Sequence, residues 1–117
     1  MLLQSVVSLA HLKMIDWDII RITGKHPTAI EFDQAAWAWY VRFSRRKVAK
    51  TVSEDKPGGI VAIDLDDRNE VIGVELLGIR EFSLRTMVRL VGPRAAGIDL
   101  SKTRFVPTGL ERELQPA

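Results

Sequence analysis

Through the middle of this chain, apolar and polar residues alternate with the two-residue period of a half-buried strand. In "TAIEF", Ile30 and Phe32 fall on one side, Ala29 and Glu31 on the other. In "WAWYVRF", the residues Trp37, Trp39, Val41 and Phe43 share a wholly apolar face opposite Ala38, Tyr40 and Arg42. That pattern predicts the strongest strand of the protein, with its apolar side toward the core. "SRR" then bends the chain and "KVAKTV" (47–52) returns it, with Val48 and Val52 pointing one way. "SEDKPGG" (53–59) predicts a loop, because Pro57 and two glycines follow the charges. "IVAIDL" sets Val61, Ile63 and Leu65 together, and "VIGVELL" sets Ile72, Val74 and Leu76 together. Upstream, the β-branched and aromatic run "WDIIRIT" (17–23) predicts a first strand.

None of these segments is separated by enough residues for a helical crossover, so neighbouring strands are expected to be antiparallel. From Phe82 the period changes. Leu84, Met87, Val88 and Val91 recur at helical spacing, Ser83 stands at the N-cap position, and Gly92 followed by Pro93 ends the run. The expected fold class is α+β, mainly β: an antiparallel meander of five to six short strands with a short C-terminal helix closing one face. The expected organisation is an N-terminal extension (1–16), a β-meander domain with its helix (17–92) and a C-terminal tail (93–117) that adds a strand near "TRFV" or none.

Composition narrows the class. The chain has 117 residues, 46% hydrophobic and 27% charged, which suits one ordinary globular domain. With no cysteine there are no disulfides, thiolate metal sites or cysteine nucleophiles. The apolar opening "MLLQSVVSLAHLKMIDWDII" lacks a basic segment ahead of it, and Lys13, Asp16 and Asp18 follow early. It is expected to be an extension rather than a signal or membrane span, with Met14 as a conceivable second start. A cytoplasmic protein without cofactor or membrane association is the expectation.

Charge is segregated although the net is only +2. Residues 41–50 carry Arg42, Arg45, Arg46, Lys47 and Lys50 and no acid, whereas residues 54–81 carry eight acids against three bases. The first group predicts a basic hairpin able to meet phosphates, with Tyr40 beside Arg42 as a surface for a base. The second group includes "DLDDRNEVIGVE". Its carboxylates Asp64, Asp66 and Glu75 hold the first, third and twelfth positions of a calcium loop. Arg68 at the fifth position, Asn69 at the sixth and strand-like flanks favour a hairpin turn instead, with Asp64, Asp66, Asp67 and Glu75 as an acidic surface. Trp37 and Trp39 are candidates for an interface or the core. His11 and His26 have no metal-ligand spacing, and no phosphate loop, dinucleotide fingerprint or nucleophile elbow occurs. No catalytic, cofactor-binding or metal site is expected.

From Phe32 to Leu77 the order of motifs resembles a small prokaryotic family, domain of unknown function 2283. "FDQAAWAWYVRFS" matches its first block through Phe32, Asp33, Ala36, Ala38 and Tyr40 to Ser44. Val48 and Thr51 match the middle, and "IDLD" followed by "VIGVELL" the end, through Asp64, Asp66, Gly73 and Glu75. Ala35 and Trp37 depart from it, standing where the family usually has acids. The resemblance implies a compact β-hairpin or meander domain with no assigned activity, and a role as an antitoxin or partner-binding subunit. Together the readings point to a small non-enzymatic binding module, as a homodimer or with a small protein partner. Nucleic-acid binding through residues 42–50 and an enzyme whose site is not visible in the sequence are the alternatives.

Overall fold

In the computed structural model, which describes residues 15–108, the alternating segments form six strands of one sheet. The strands are β1 (Ala29–Asp33), β2 (Ala38–Arg42), β3 (Lys50–Lys56), β4 (Gly59–Leu65), β5 (Val71–Leu77) and β6 (Arg104–Pro107). One α-helix, α1 (Leu84–Val91), and two 3-10 turns, Gln34–Ala36 and Pro93–Ala95, complete the regular structure. His11 and most of the apolar opening lie outside the described residues. The strand order is β3-β4-β5-β2-β1-β6. All neighbours are antiparallel except β1 and β6, which run parallel.

Over the described residues the protein is therefore mainly β with one α-helix, as the periodicities predict, but it is not strictly a meander. β2 does not form a hairpin with the strand after it. It pairs with β1 and β5, and β3 lies three positions away at the sheet edge. That span is roughly 14 Å at ~4.8 Å per strand. Residues 43–49 can reach roughly 23 Å when extended, so a short connection suffices without a helix. The N–H groups of Phe43 and Ser44 donate to the Ile72 carbonyl at 2.8 and 3.2 Å, and the Ala49 N–H donates to the Leu65 carbonyl at 2.8 Å. The connection thus runs along the ends of β5 and β4.

Other boundaries move for local reasons. Ser53–Lys56 is strand rather than loop, because only Pro57 and Gly58 are needed to turn β3 into β4. Gly58 takes φ +95°, the conformation that the second central residue of a type II turn requires. "WDIIRIT" contributes one parallel bridge, Arg21 to Glu70, instead of a strand. A turn over residues 17–19 replaces its start, with the Asp16 carboxylate accepting from the Asp18 N–H at 3.2 Å and the Asp16 carbonyl from the Ile19 N–H at 3.3 Å.

One face of the sheet carries the core. Ile30, Trp39, Val41, Val61, Ile63, Leu65, Val74 and Leu76 pack with Met87, Leu90 and Val91 of α1 and with Ile15, Ile20, Ile79 and Ile98. The alternation in β4 and β5 is borne out apart from Ile72. A register shift between Asp64 and Leu65 leaves that residue buried but outside the core cluster. The helix forms where its period predicts. The Ser83 hydroxyl accepts from the Thr86 N–H at 3.1 Å, and the Gly92 N–H donates to the Val88 carbonyl at 2.8 Å. Eight residues are too few for a helix to persist alone in water, so its stability comes from three buried side chains at about 1.5–3 kcal/mol each.

Trp39 ties β2 to the chain leaving β5. Its indole N–H donates to the Ile79 carbonyl at 2.7 Å in a buried setting, and its ring stacks on Phe32 at 5.1 Å. Replacing Trp39 by Phe retains much of the packing but orphans that carbonyl. We expect a loss of about 1–3 kcal/mol in urea unfolding, with the denaturant slope unchanged.

Candidate functional site: the open face of the sheet

The helix covers one face only. The other is built from the alternate residues: Thr51 on β3, Ala62 and Asp64 on β4, Gly73 and Glu75 on β5, Tyr40 and Arg42 on β2, Glu31 on β1. It holds an open depression of about 600 Å³. Ala36, Ala38 and Leu77 line it together with the charged groups Glu31, Asp33, Arg42, Asp64 and Glu75.

Tyr40 organises this surface. Its side chain leaves β2, passes over β5 at Gly73 and donates its O–H to Asp64 Oδ2 on β4 at 2.7 Å. Thr51 on β3 donates its hydroxyl to Asp64 Oδ1 at 2.6 Å. Four strands are therefore laced together by two hydroxyls and one carboxylate. Gly73 is required by that crossing, since a Cβ there would lie 1.9 Å from the Tyr40 oxygen. Burial, then the bond to Asp64, pushes the phenol well above its ordinary value of 10. Tyr40 stays protonated at physiological pH and serves as a donor, not as a base.

Arg42 and Glu31 form a two-bond pair, with Nε on Oε2 at 2.7 Å and Nη2 on Oε1 at 3.2 Å. The guanidinium also stands 5.0 Å from the Tyr40 ring centroid. The Arg42 hydrogen bond holds the Glu31 carboxyl below its ordinary value, against the opposing effect of burial. The Tyr40 ring, expected as a surface for a base, is thus already occupied on two sides.

The basic residues do not form a hairpin tip. Arg42 is paired with Glu31, and Arg46 with Asp66 and, at 3.3 Å, with Glu70. Arg45, Lys47 and Lys50 are exposed. The acidic residues divide likewise. Asp64 and Glu75 share the open face, whereas Asp66, only 6% exposed, closes the β4–β5 turn. Its Oδ1 accepts from the N–H groups of Arg68 at 2.8 Å and Glu70 at 3.0 Å, and Oδ2 meets Arg46. The loop is the hairpin that its flanks predict, with Asp66 engaged inside the turn. Asp67 is exposed. Among the described residues, no group of three or more His, Cys, Asp or Glu is placed to hold a metal ion. His26 sits in an exposed turn, its Nδ1 3.6 Å from Asp99.

The two tryptophans part company. Trp39 is core, but Trp37 is not on the core face. It takes φ +50° after the 3-10 turn, which rotates its side chain out of the strand alternation. Its carbonyl accepts from the N–H groups of Gly78 and Ile79. Its ring is 44% exposed, with the Arg80 guanidinium 4.7 Å from the centroid.

Glu31 and Thr51 were not singled out by sequence reasoning. Their signal was present in the strand alternation, which sets both opposite the apolar face, and a lone glycine inside a strand marks a close approach. Comparisons with family models, with curated proteins and with solved structures find no match to this chain. Among the described residues no helix is long and apolar enough to cross a membrane.

Two outcomes follow from the geometry. Gly73→Ala should cost about 2–4 kcal/mol, from overpacking plus the lost Tyr40–Asp64 bond. The double variant with Tyr40→Ala should cost less than the sum of the two single changes, as a double-mutant cycle in urea would measure. The second outcome concerns acid. The Glu70 N–H, then that of Arg68 and the Arg46 charge, hold Asp66 below its ordinary value of 3.8 against a smaller effect of burial. The unfolded chain therefore binds this proton first. The stability that Asp66 contributes is complete above its ordinary value and is lost as pH falls through the lower folded-state value. Asp66→Asn should lower the thermal midpoint at neutral pH and flatten its decline between about pH 5 and pH 2.

Proposed function

We propose that this chain is a non-enzymatic protein-binding module that engages its partner through the open face of the sheet. The observation that carries the reading is the asymmetry of the sheet. Its apolar face is closed by α1 and the segment from Ile15 to Ile20, while the opposite face presents a shallow, mixed-charge depression held rigid by the Tyr40–Asp64–Thr51 bonds. A rigid, preorganised surface with Ala36 and Ala38 in its lining suits close approach of another backbone or side chain.

The chemistry of the same groups speaks against catalysis. Tyr40 is held protonated, Asp64 already accepts two hydroxyls, and Arg42 is paired with Glu31. Asp64 and Glu75 do line one depression, as a hidden acid–base pair would, but the hydroxyls beside them are engaged, Tyr40 with Asp64 and Thr108 with the Phe32 carbonyl. Nucleic-acid binding is favoured less, because Arg42 and Arg46 are paired with carboxylates within the chain, which leaves Arg45, Lys47 and Lys50 as the candidate bases with no ion pair among the described residues.

The segment resembling domain of unknown function 2283 supplies β2 to β5, which is most of this face. An antitoxin-like partner subunit is the role that the resemblance implies, and it agrees with a surface made for binding.

A photo-reactive residue tests the assignment directly. Placed at Ala38 in the depression, it should give a cross-linked adduct; placed at Arg85 on the exposed side of α1, it should give none. An adduct from position 85 alone, or none from either position both in cells and in purified protein, would remove the open face as the binding surface.

A further inference from the structure

We propose that Trp37 and Arg80 form the anchor that holds the protein partner, and that the partner segment presents a carboxylate beside an apolar side chain. The inference rests on the reading of the open face as the binding surface and adds the contact that selects what binds there. Its basis is a side chain that the turn carrying it does not need.

Trp37 stands at φ +50°. The other described residues with positive φ are Gly58, Gly78, Gly92 and Asn69, the types that adopt it readily. A bulky aromatic there is an outlier that its surroundings have to hold in place. The main chain does the holding. The Trp37 N–H donates to the Gln34 carbonyl at 3.2 Å, and the Trp37 carbonyl accepts from the N–H groups of Gly78 at 2.9 Å and Ile79 at 3.2 Å. The Asp33 carboxylate accepts from the Ala36 N–H at 3.3 Å. None of these bonds uses the indole, and a glycine at position 37 would make them without strain.

The ring is instead offered outward. It is 44% exposed, and the Arg80 guanidinium that lies over it is exposed as well. Among the described residues, no acceptor meets the Trp37 indole N–H and no carboxylate lies within ion-pair distance of Arg80. The pair stands at the rim of the depression. Ala36 and Ala38, on either side of Trp37, line it, and so does Leu77, beside the Gly78 that bonds the Trp37 carbonyl. An apolar ring, an indole donor and an unpaired guanidinium are thus brought together where the open face ends. Trp and Arg are the residue types that most often carry the energy of a protein contact.

The same groups define the partner. A guanidinium laid on an aromatic ring keeps its N–H edge free, and a carboxylate accepts from that edge in two-bond geometry and from the indole N–H beside it. An aliphatic neighbour of the carboxylate packs on the exposed part of the ring. A basic segment would meet the unpaired guanidinium instead. A nucleobase would have to compete with Arg80 for the ring.

The test uses the purified full chain and a fluorescein-labelled peptide of alternating glutamate and leucine, followed by fluorescence anisotropy. Saturable binding is expected at low salt, weaker at high salt. Trp37→Gly and Arg80→Glu should each weaken it roughly tenfold or more. Arg80→Lys should restore only part of the loss, because a point charge lacks the planar fork. Arg85→Glu, the same charge change on the exposed side of α1, should leave binding nearly as it was. Trp37→Gly should keep the far-UV circular dichroism of the parent. Should it fail to fold, Arg80→Glu at its exposed position carries the test.

No binding of the peptide up to about millimolar concentration would overturn the anchor. So would binding that is unchanged by Trp37→Gly and Arg80→Glu, or that falls as far with Arg85→Glu. A lysine–leucine peptide or an oligothymidylate that binds through the same two residues in place of the acidic peptide would overturn the partner chemistry. The broader reading has its own separate readout. If the probe at Ala38 gives its adduct as well in the Trp37→Gly and Arg80→Glu proteins as in the parent, the open face binds without this anchor. If that probe gives no adduct, both readings fall.

Discussion

The structure turns on the connection between β2 and β3. Once β2 is inserted between β1 and β5, the chain can reach the sheet edge only by crossing the ends of two strands. It does so over the β4–β5 turn, and an ion pair makes the crossing specific. Arg46 reaches down to Asp66 and Glu70, while Asp66 is held inside the turn by two backbone N–H groups. Asp66 is the one buried charged residue described, and a buried carboxylate without such partners would be strongly disfavoured. The turn therefore needs the connection above it, and the connection is aligned by the turn.

Side-chain composition explains why no described helix covers the other face of the sheet. α1 and the residues before β1 pack on the opposite side, where every strand from β1 to β5 presents aliphatic or aromatic groups. The uncovered side offers Ala38, Ala62 and Gly73, which give a helix little to bury against. Tyr40 fills part of that space by lying across Gly73, and its hydrogen bond to Asp64 links β2 to β4 across β5, while Thr51 ties Asp64 to the neighbouring β3. Polar groups here serve as cross-braces, the role that packed side chains serve on the other face.

Most strands and the helix were legible in the sequence, because their signals are local. The period of two in "IVAIDL" and "VIGVELL", the period of 3.6 after Phe82, and the caps Ser83 and Gly92 all act within a few residues. The strand order was not legible. Alternation states which residues share a face but not which strand lies beside which. Adjacent strands joined by few residues are ordinarily paired, and the β2–β3 crossover breaks that expectation. Trp37 shows a second limit. Its letter fits the apolar face, but the 3-10 turn before it demands a left-handed residue, and backbone geometry overrides the pattern. The basic and acidic runs predict a basic hairpin and a separate acidic surface. Only the three-dimensional path reveals that Arg46 and Asp66 belong to one interaction.

That partial neutralisation also shapes what the surface can recognise. Arg46 is matched by Asp66 and Arg42 by Glu31, and Asp64 accepts from the hydroxyls of Tyr40 and Thr51, so the fold itself uses much of the charge placed on this face. Glu75 lines the depression, and Arg45 and Lys47 lie exposed along the connection. Exposed charges of this kind contribute little to affinity, because water and salt screen them. Against a partner of the wrong pattern they act more strongly, since a like charge pressed against a carboxylate or lysine has to be desolvated without compensation. The open face therefore differs from the helix-covered face in chemistry as well as in packing: one side is held by buried aliphatic and aromatic groups, the other by hydrogen-bonded polar ones.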